Sequence, residues 1–124
     1  MRVFKTRTFN RWAKGVKLTD QELNQAVMEI RRGLIDAQLG GGVIKKRIRR
    51  TDRGKRTGYR SILATNMLDR YIFLYGFAKN ERENIDDSEL RMLKRLSKTL
   101  LTMNTRKVKD ALSRGELVEI DYGE

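Results

Sequence analysis

The sequence predicts an α+β domain in which N-terminal helices pack on a three- to four-stranded antiparallel sheet, with a C-terminal helix completing the fold. Three observations carry this. Apolar residues recur at helical spacing early in the chain, the period switches to two in its middle third, and helical spacing returns after residue 86. A chain of 124 residues is long enough for one such domain with its own core, and no linker, repeat or low-complexity stretch divides 1–124.

Residues 2–8 alternate Val3, Lys5 and Arg7 with Phe4, Thr6 and Thr8, which predicts a short strand. A brief helix follows, with Phe9, Trp12 and Ala13 on one face and Gly15 as a left-handed cap. Thr19 opens a longer helix, and Glu22 three residues on completes a capping box. Leu23, Ala26, Val27, Ile30 and Leu34 are its apolar stripe. Gly40, Gly41 and Gly42 end this region in a turn. They are no phosphate cradle of the Walker type, since no Lys-Ser/Thr pair follows them.

Residues 43–48, 59–65 and 71–78 read as strands, the last two rich in β-branched and aromatic side chains. A tight turn at 66–69 joins the second and third in an antiparallel hairpin. The strand 71–78 is apolar on both faces, with Tyr71, Phe73, Tyr75 and Phe77 opposite Ile72, Leu74, Gly76 and Ala78, so it belongs at the sheet centre. Asp86 and Glu89 cap a third helix with the stripe Leu90, Leu93, Leu96 and Leu100, widened by Leu101. Residues 105–113 form a last short helix ended by Gly115, and 117–120 a final strand or a tail.

Charge narrows the function. The chain carries 28 Lys+Arg against 16 Asp+Glu, a net charge of +12, which calls for a polyanionic partner. The block 45–60, KKRIRRTDRGKRTGYR, concentrates that charge against one acid, Asp52. With no histidine and no cysteine there is no imidazole acid or base and no thiolate nucleophile, and neither a metal nor another cofactor is expected. No apolar run approaches the roughly 18 residues of a membrane span, and the N-terminus lacks a signal-peptide core, so the expectation is a cytoplasmic protein with no membrane contact.

Residues two apart on a strand share a face, so Lys45 and Arg47 project together and Lys46 points the other way. A solvated edge strand that blocks aggregation would look the same. The charge, however, continues through Arg49 and Arg50 into a predicted basic loop at 50–58 and on to the next strand. In Gly54-Lys55-Arg56-Thr57-Gly58-Tyr59-Arg60, glycines flank a basic dipeptide and let the backbone approach a phosphate, while Arg60 presents a rigid fork of donors. A loop that contacts nothing specific is the competing reading. Tyr59, of opposite parity to Arg60, is expected to be packed. Lys79 shares a face with Phe77 and Tyr75, a pairing suited to stacking a base beside a phosphate, though plain core reads equally well. Glu81 is the candidate acid or base.

In order and spacing, Ile44-Lys45-Lys46-Arg47-Ile48, Gly58-Tyr59-Arg60 and Tyr75-Gly76-Phe77-Ala78-Lys79-Asn80-Glu81 resemble the RelE/HigB family of toxins from type II toxin–antitoxin modules. The Lys-Asn-Glu form is similar to the HigB-like branch. The resemblance implies the small RelE-like α+β fold and a ribosome-dependent messenger RNA endonuclease (an mRNA interferase). Such a toxin inhibits translation by cleaving messenger in the ribosomal A site, without a metal, through attack of the 2′-hydroxyl on the adjacent phosphate. By the same resemblance Arg60 grips the scissile phosphate and Lys79, Lys45 and Arg47 complete the catalytic set. Lys46, Arg49, Arg50, Lys55, Arg56, Phe77 and Arg82 are expected to bind RNA. RelE itself carries a second arginine where Asn80 stands and a tyrosine near the place of Asp86. The implied partners are the ribosome, messenger RNA and a cognate antitoxin of helix-turn-helix type, with a homodimer or a toxin–antitoxin hetero-oligomer both open. Two other functions fit the same residues: a non-catalytic nucleic-acid-binding protein, and a gyrase-inhibiting toxin on the same fold.

Overall fold

The computed structural model of the protein describes residues 1–49 and 58–123. The predicted basic loop, with Arg50, Lys55 and Arg56, therefore lies outside the described residues. The chain begins with β1 (Arg2–Thr6), whose last residue turns its hydroxyl to accept from the Phe9 N–H at 3.1 Å and so caps α1 (Arg7–Gly15). This ends the strand two residues earlier than the alternation predicts. Gly15 remains inside the helix, and the left-handed turn after it falls on Lys17, at φ 60°. α2 (Asp20–Arg31) starts with the predicted capping box, Thr19 Oγ1 accepting from the Glu22 N–H while Glu22 Oε1 accepts from the Thr19 N–H. It ends at Arg31, and Gly33 takes φ 89°, so Leu34 falls off the stripe and is 55% exposed.

β2 (Ala37–Gly40) is a strand the sequence reading lacks; Gly40, Gly41 and Gly42, all at positive φ, turn it into β3 (Val43–Ile48). β4 (Tyr59–Thr65) and β5 (Arg70–Ala78) form the predicted hairpin. Its turn is held by Asn66, whose Oδ1 accepts from the N–H groups of Leu68, Asp69 and Arg70. α3 (Asp87–Leu101) opens with a second capping box, Asp86 with Glu89, and α4 (Thr105–Ser113) is capped by Asn104 and followed by Gly115 at φ 71°. The chain closes with β6 (Leu117–Ile120).

Among the described residues the sheet has six strands in the order β2-β3-β4-β5-β1-β6, not three or four, and it is mixed. β1 lies parallel to β5 and antiparallel to β6, so β5 is central as its two apolar faces require. The helices cover both faces, as the two apolar sides of β5 require. Phe9, Ala13, Leu23, Val27 and Ile30 of α1 and α2 pack on Val3, Ile44, Leu63, Tyr71 and Phe73. On the opposite face Leu93, Leu100, Val108 and Ala111 of α3 and α4 pack on Phe4, Val43, Ile62, Ile72 and Leu74. A bulge at Leu74 (Ile62 pairs with Tyr75, Leu63 with Phe73) breaks the expected alternation of β5. Tyr71 and Phe73 face α1 and α2, whereas Tyr75 and Phe77 belong to the α3–α4 side.

Candidate nucleic-acid interface

The pairing register decides which cations meet. Arg47 of β3 lies directly across from Arg60 of β4, which lies across from Phe77 of β5, so these three side chains share the α3–α4 face. Lys45 pairs with Ile62 and Ile62 with Tyr75 in the next row of the same face. Burial falls along β3 from Val43, which is buried, through half-buried Lys45 to exposed Arg47. Lys79 follows β5 immediately, is exposed, and donates its N–H to the Gly58 carbonyl at 3.2 Å. Arg60 reaches the same corner: its Nη1 lies 3.8 Å from the point where a Cβ on Gly58 would sit.

Arg60 has one described carboxylate beside it, Asp36, with Oδ2 3.8 Å from its Nε. Asp36 stands just before β2 and donates its N–H to the Lys45 carbonyl at 3.0 Å. With Glu29, Lys46, Arg47 and Arg49 it lines a cleft of about 280 Å³ that opens at the β2–β3 edge toward α2. Asp36 was missed in the sequence because β2 was. A register shift between Gln38 and Gly40 sets Ala37 across from Lys45 and so brings Asp36 beside the cations; counting back from the glycine turn would have put Gln38 there instead.

Two members of the expected RNA-binding set, Lys46 and Phe77, are buried, and a third, Arg82, is engaged by Glu89. Lys46 points to the other face, where its Nζ meets Glu29 Oε1 of α2 at 2.8 Å, with the two side chains only 6% and 12% exposed. That bond, helped by one from Gln25 and by the charges of Lys46 and Arg49, holds the Glu29 carboxyl below its ordinary range against the effect of burial. Phe77 is 4% exposed and packs among the α3–α4 core, so it offers no stacking surface to a base. Arg82 is a clamp. Its Nη1 and Nη2 donate to Glu89 at 3.1 and 2.6 Å, its Nε donates to the Asn84 carbonyl at 2.8 Å, and Nη1 also reaches the Tyr75 hydroxyl at 3.3 Å. The guanidinium lies over the Phe77 ring, 5.6 Å from its centroid. The Glu89 contact raises the Arg82 pKa, and Arg82 lowers that of Glu89.

Arg49 is exposed at the end of the described strand region, and Glu81 is exposed in the turn after β5, its N–H donating to Ala78 O at 3.1 Å. Tyr59 is buried and meets Trp12 edge-on at 5.4 Å. Lys45, Arg47 and Arg60 thus share one sheet face, and the backbone of Lys79 leaves β5 beside Gly58 at the Arg60 end of it.

The family model described as the RelE toxin of the RelE/RelB toxin–antitoxin system matches residues 1–120. The chain belongs to the RelE toxin family. No curated protein sequence matches it. As a RelE-family toxin it has a cognate antitoxin as its implied partner, and toxins of this family are generally endoribonucleases that inhibit translation. Among the described residues of this RelE-family chain, no helix is long and apolar enough to cross a membrane.

Proposed function

We propose that this toxin is a ribosome-dependent messenger RNA endonuclease of the HigB-like branch, acting in the cytoplasm on messenger in the ribosomal A site. The observation that carries the reading is the shared face of Lys45, Arg47 and Arg60, with Lys79 leaving β5 at the Gly58 corner toward which Arg60 reaches. In this reading the 2′-oxygen of the substrate attacks the adjacent phosphorus and the P–O5′ bond breaks, leaving a 2′,3′-cyclic phosphate and a free 5′-hydroxyl. Arg60 and Lys79 neutralise the charge that develops on the phosphoryl oxygens. Lys45 and Arg47 hold the strand and the leaving oxygen. Without an imidazole the protein forgoes a general-base contribution of about 10² to 10⁴ in rate. Alignment of the messenger by the ribosome offsets that loss, since an oriented intramolecular attack needs no further ordering. An antitoxin of helix-turn-helix type would mask the cationic face.

The test is induction in a bacterial host with mapping of transcript 5′ ends, beside cleavage assays with and without ribosomes. Cuts confined to translated messenger are expected, with negligible cleavage of free RNA. Arg60→Ala is expected to lower cleavage by on the order of 10²-fold while ribosome binding persists. Brisk cleavage of free RNA would end the ribosome dependence. Intact messenger with DNA-damage signalling would point instead to gyrase, and binding without cuts to a non-catalytic role.

A further inference from the structure

We propose that Asp36 is a positioning residue for Arg60, holding the guanidinium in the orientation that a phosphate meets. The inference rests on the reading of Arg60 as the phosphate-gripping residue. Two contacts define the device. The backbone of Asp36 is tied to β3 by its N–H bond to Lys45 O, so its carboxylate has a fixed root beside the strand that carries Lys45 and Arg47. Its Oδ2 then sits 3.8 Å from Arg60 Nε, with the arginine side chain 12% exposed and the aspartate 30%.

The choice of nitrogen matters. A carboxylate paired with the Nη fork would occupy the donors a phosphate needs. One placed at Nε leaves the outer edge turned toward Gly58, where Nη1 lies in ordinary contact distance of the missing Cβ. Lys79 leaves the sheet at that same point. An arginine side chain has several rotatable bonds, and the carboxylate beside Nε, at ion-pair distance, biases them toward one orientation before substrate arrives.

Against this, a carboxylate beside a phosphate-gripping arginine repels RNA. A single negative charge about 6 to 7 Å from a bound phosphate, in water-like surroundings, weakens binding roughly threefold. Asp36 therefore opposes binding and favours turnover, which separates positioning from a plain surface ion pair.

The experiment measures binding to ribosomes programmed with messenger carrying a 2′-deoxy nucleotide at the cut position, and single-turnover cleavage of the unmodified messenger. Asp36→Asn is expected to bind roughly threefold tighter and to cleave about tenfold slower. Asp36→Glu, which keeps the charge within reach of Nε, is expected to recover most of the rate. Asp36→Ser serves as a second removal variant, and thermal unfolding checks that each is folded. Unchanged binding and rate in folded Asp36→Asn and Asp36→Ser overturn the proposal, as does weaker binding in both. Arg60→Ala separates the two levels. If it abolishes cleavage while Asp36 variants do nothing, only this inference fails; if Arg60→Ala cleaves normally, the reading beneath it fails as well.

Discussion

Lys46→Met is expected to destabilise the fold and to leave RNA affinity alone, although Lys46 sits between two cations of the candidate interface. Its Nζ and Glu29 Oε1 are 2.8 Å apart, and both side chains are nearly closed off from solvent. Removing one partner of such a pair strands the other charge, at a cost of about 3 to 5 kcal/mol. Glu29 keeps its bond from Gln25 and the field of Arg49, so the lower end, about 3 kcal/mol, is expected. The double variant Lys46→Met/Glu29→Leu removes both charges and should return to within about 1 kcal/mol of the parent. Urea unfolding followed by the fluorescence of Trp12, the one tryptophan, measures this directly. The pH dependence has a definite sign. The folded Glu29 carboxyl lies below its unfolded value of about 4.3, so its contribution is fully present above that value and is lost as pH falls through the folded pKa. The gap between parent and Lys46→Met should therefore be widest near neutrality and shrink below about pH 4. Salt titration of RNA binding supplies the second axis. The slope should be unchanged in Lys46→Met and should fall by about one phosphate contact in Lys45→Met. A stability loss under about 0.5 kcal/mol, or a shallower salt slope for Lys46→Met, would refute the reasoning.

Gly76→Ala probes the seat of Trp12. A Cβ at 76 would lie 2.6 Å from Trp12 Cη2 and closer still to Cε3 and Cζ3, and the indole is hemmed in by Phe9 and Tyr59. Unfolding measurements should show a loss of about 1 to 3 kcal/mol, partly relieved when Trp12→Phe is added; no loss would mean the ring does not rest there. Arg82→Ala should loosen the turn after β5. The Glu81 and Arg82 amides, both bonded to the Ala78 carbonyl, should exchange with solvent on the order of tenfold faster, with the core amides of β5 unchanged. Equal exchange would show that the clamp holds nothing.

Elements marked by two local signals were legible. The Thr19–Glu22 and Asp86–Glu89 boxes each join a cap residue to a matching acid at the head of an apolar stripe, and both helices begin where that pattern puts them. The β4–β5 hairpin was equally plain from its turn residues and its apolar strands. The rest depends on distant partners. Nothing near Val3 and Phe4 indicates that β1 will lie beside residues 70–73, and the four residues of β2 are too few to show a period. The bulge at Leu74 leaves no local mark either, yet it moves Tyr75 and Phe77 to the other face from Phe73. In the candidate site, parity separated Lys46 from Lys45 and Arg47 correctly. It could not show that an acid on α2 waits for Lys46, nor that Glu89 claims Arg82.

The same sheet serves as core and as cationic surface because the two helical layers end at different places along it. On the face of α1 and α2, Ile44, Lys46 and Ile48 are all buried along the whole of β3. A cation within that run has to be paired, and Glu29 at the end of α2 pairs it. On the other face α3 is anchored at the glycine turn: Ser97 Oγ donates to Gly41 O at 2.9 Å, and a Cβ on Gly42 would come within 2.8 Å of Leu101. That layer covers Val43 and leaves Arg47 in the open four residues on. On this face of β3 exposure therefore rises with distance from the turn, from half-buried Lys45 to exposed Arg47, at the end where β4 begins and β5 finishes. A shift of α3 toward Arg47 would bury it, and a strand register moved by one residue would hide Arg47 and expose Ile48 in its place. Register and helix position together, more than net charge, make this end of the sheet the surface a polyanion can reach.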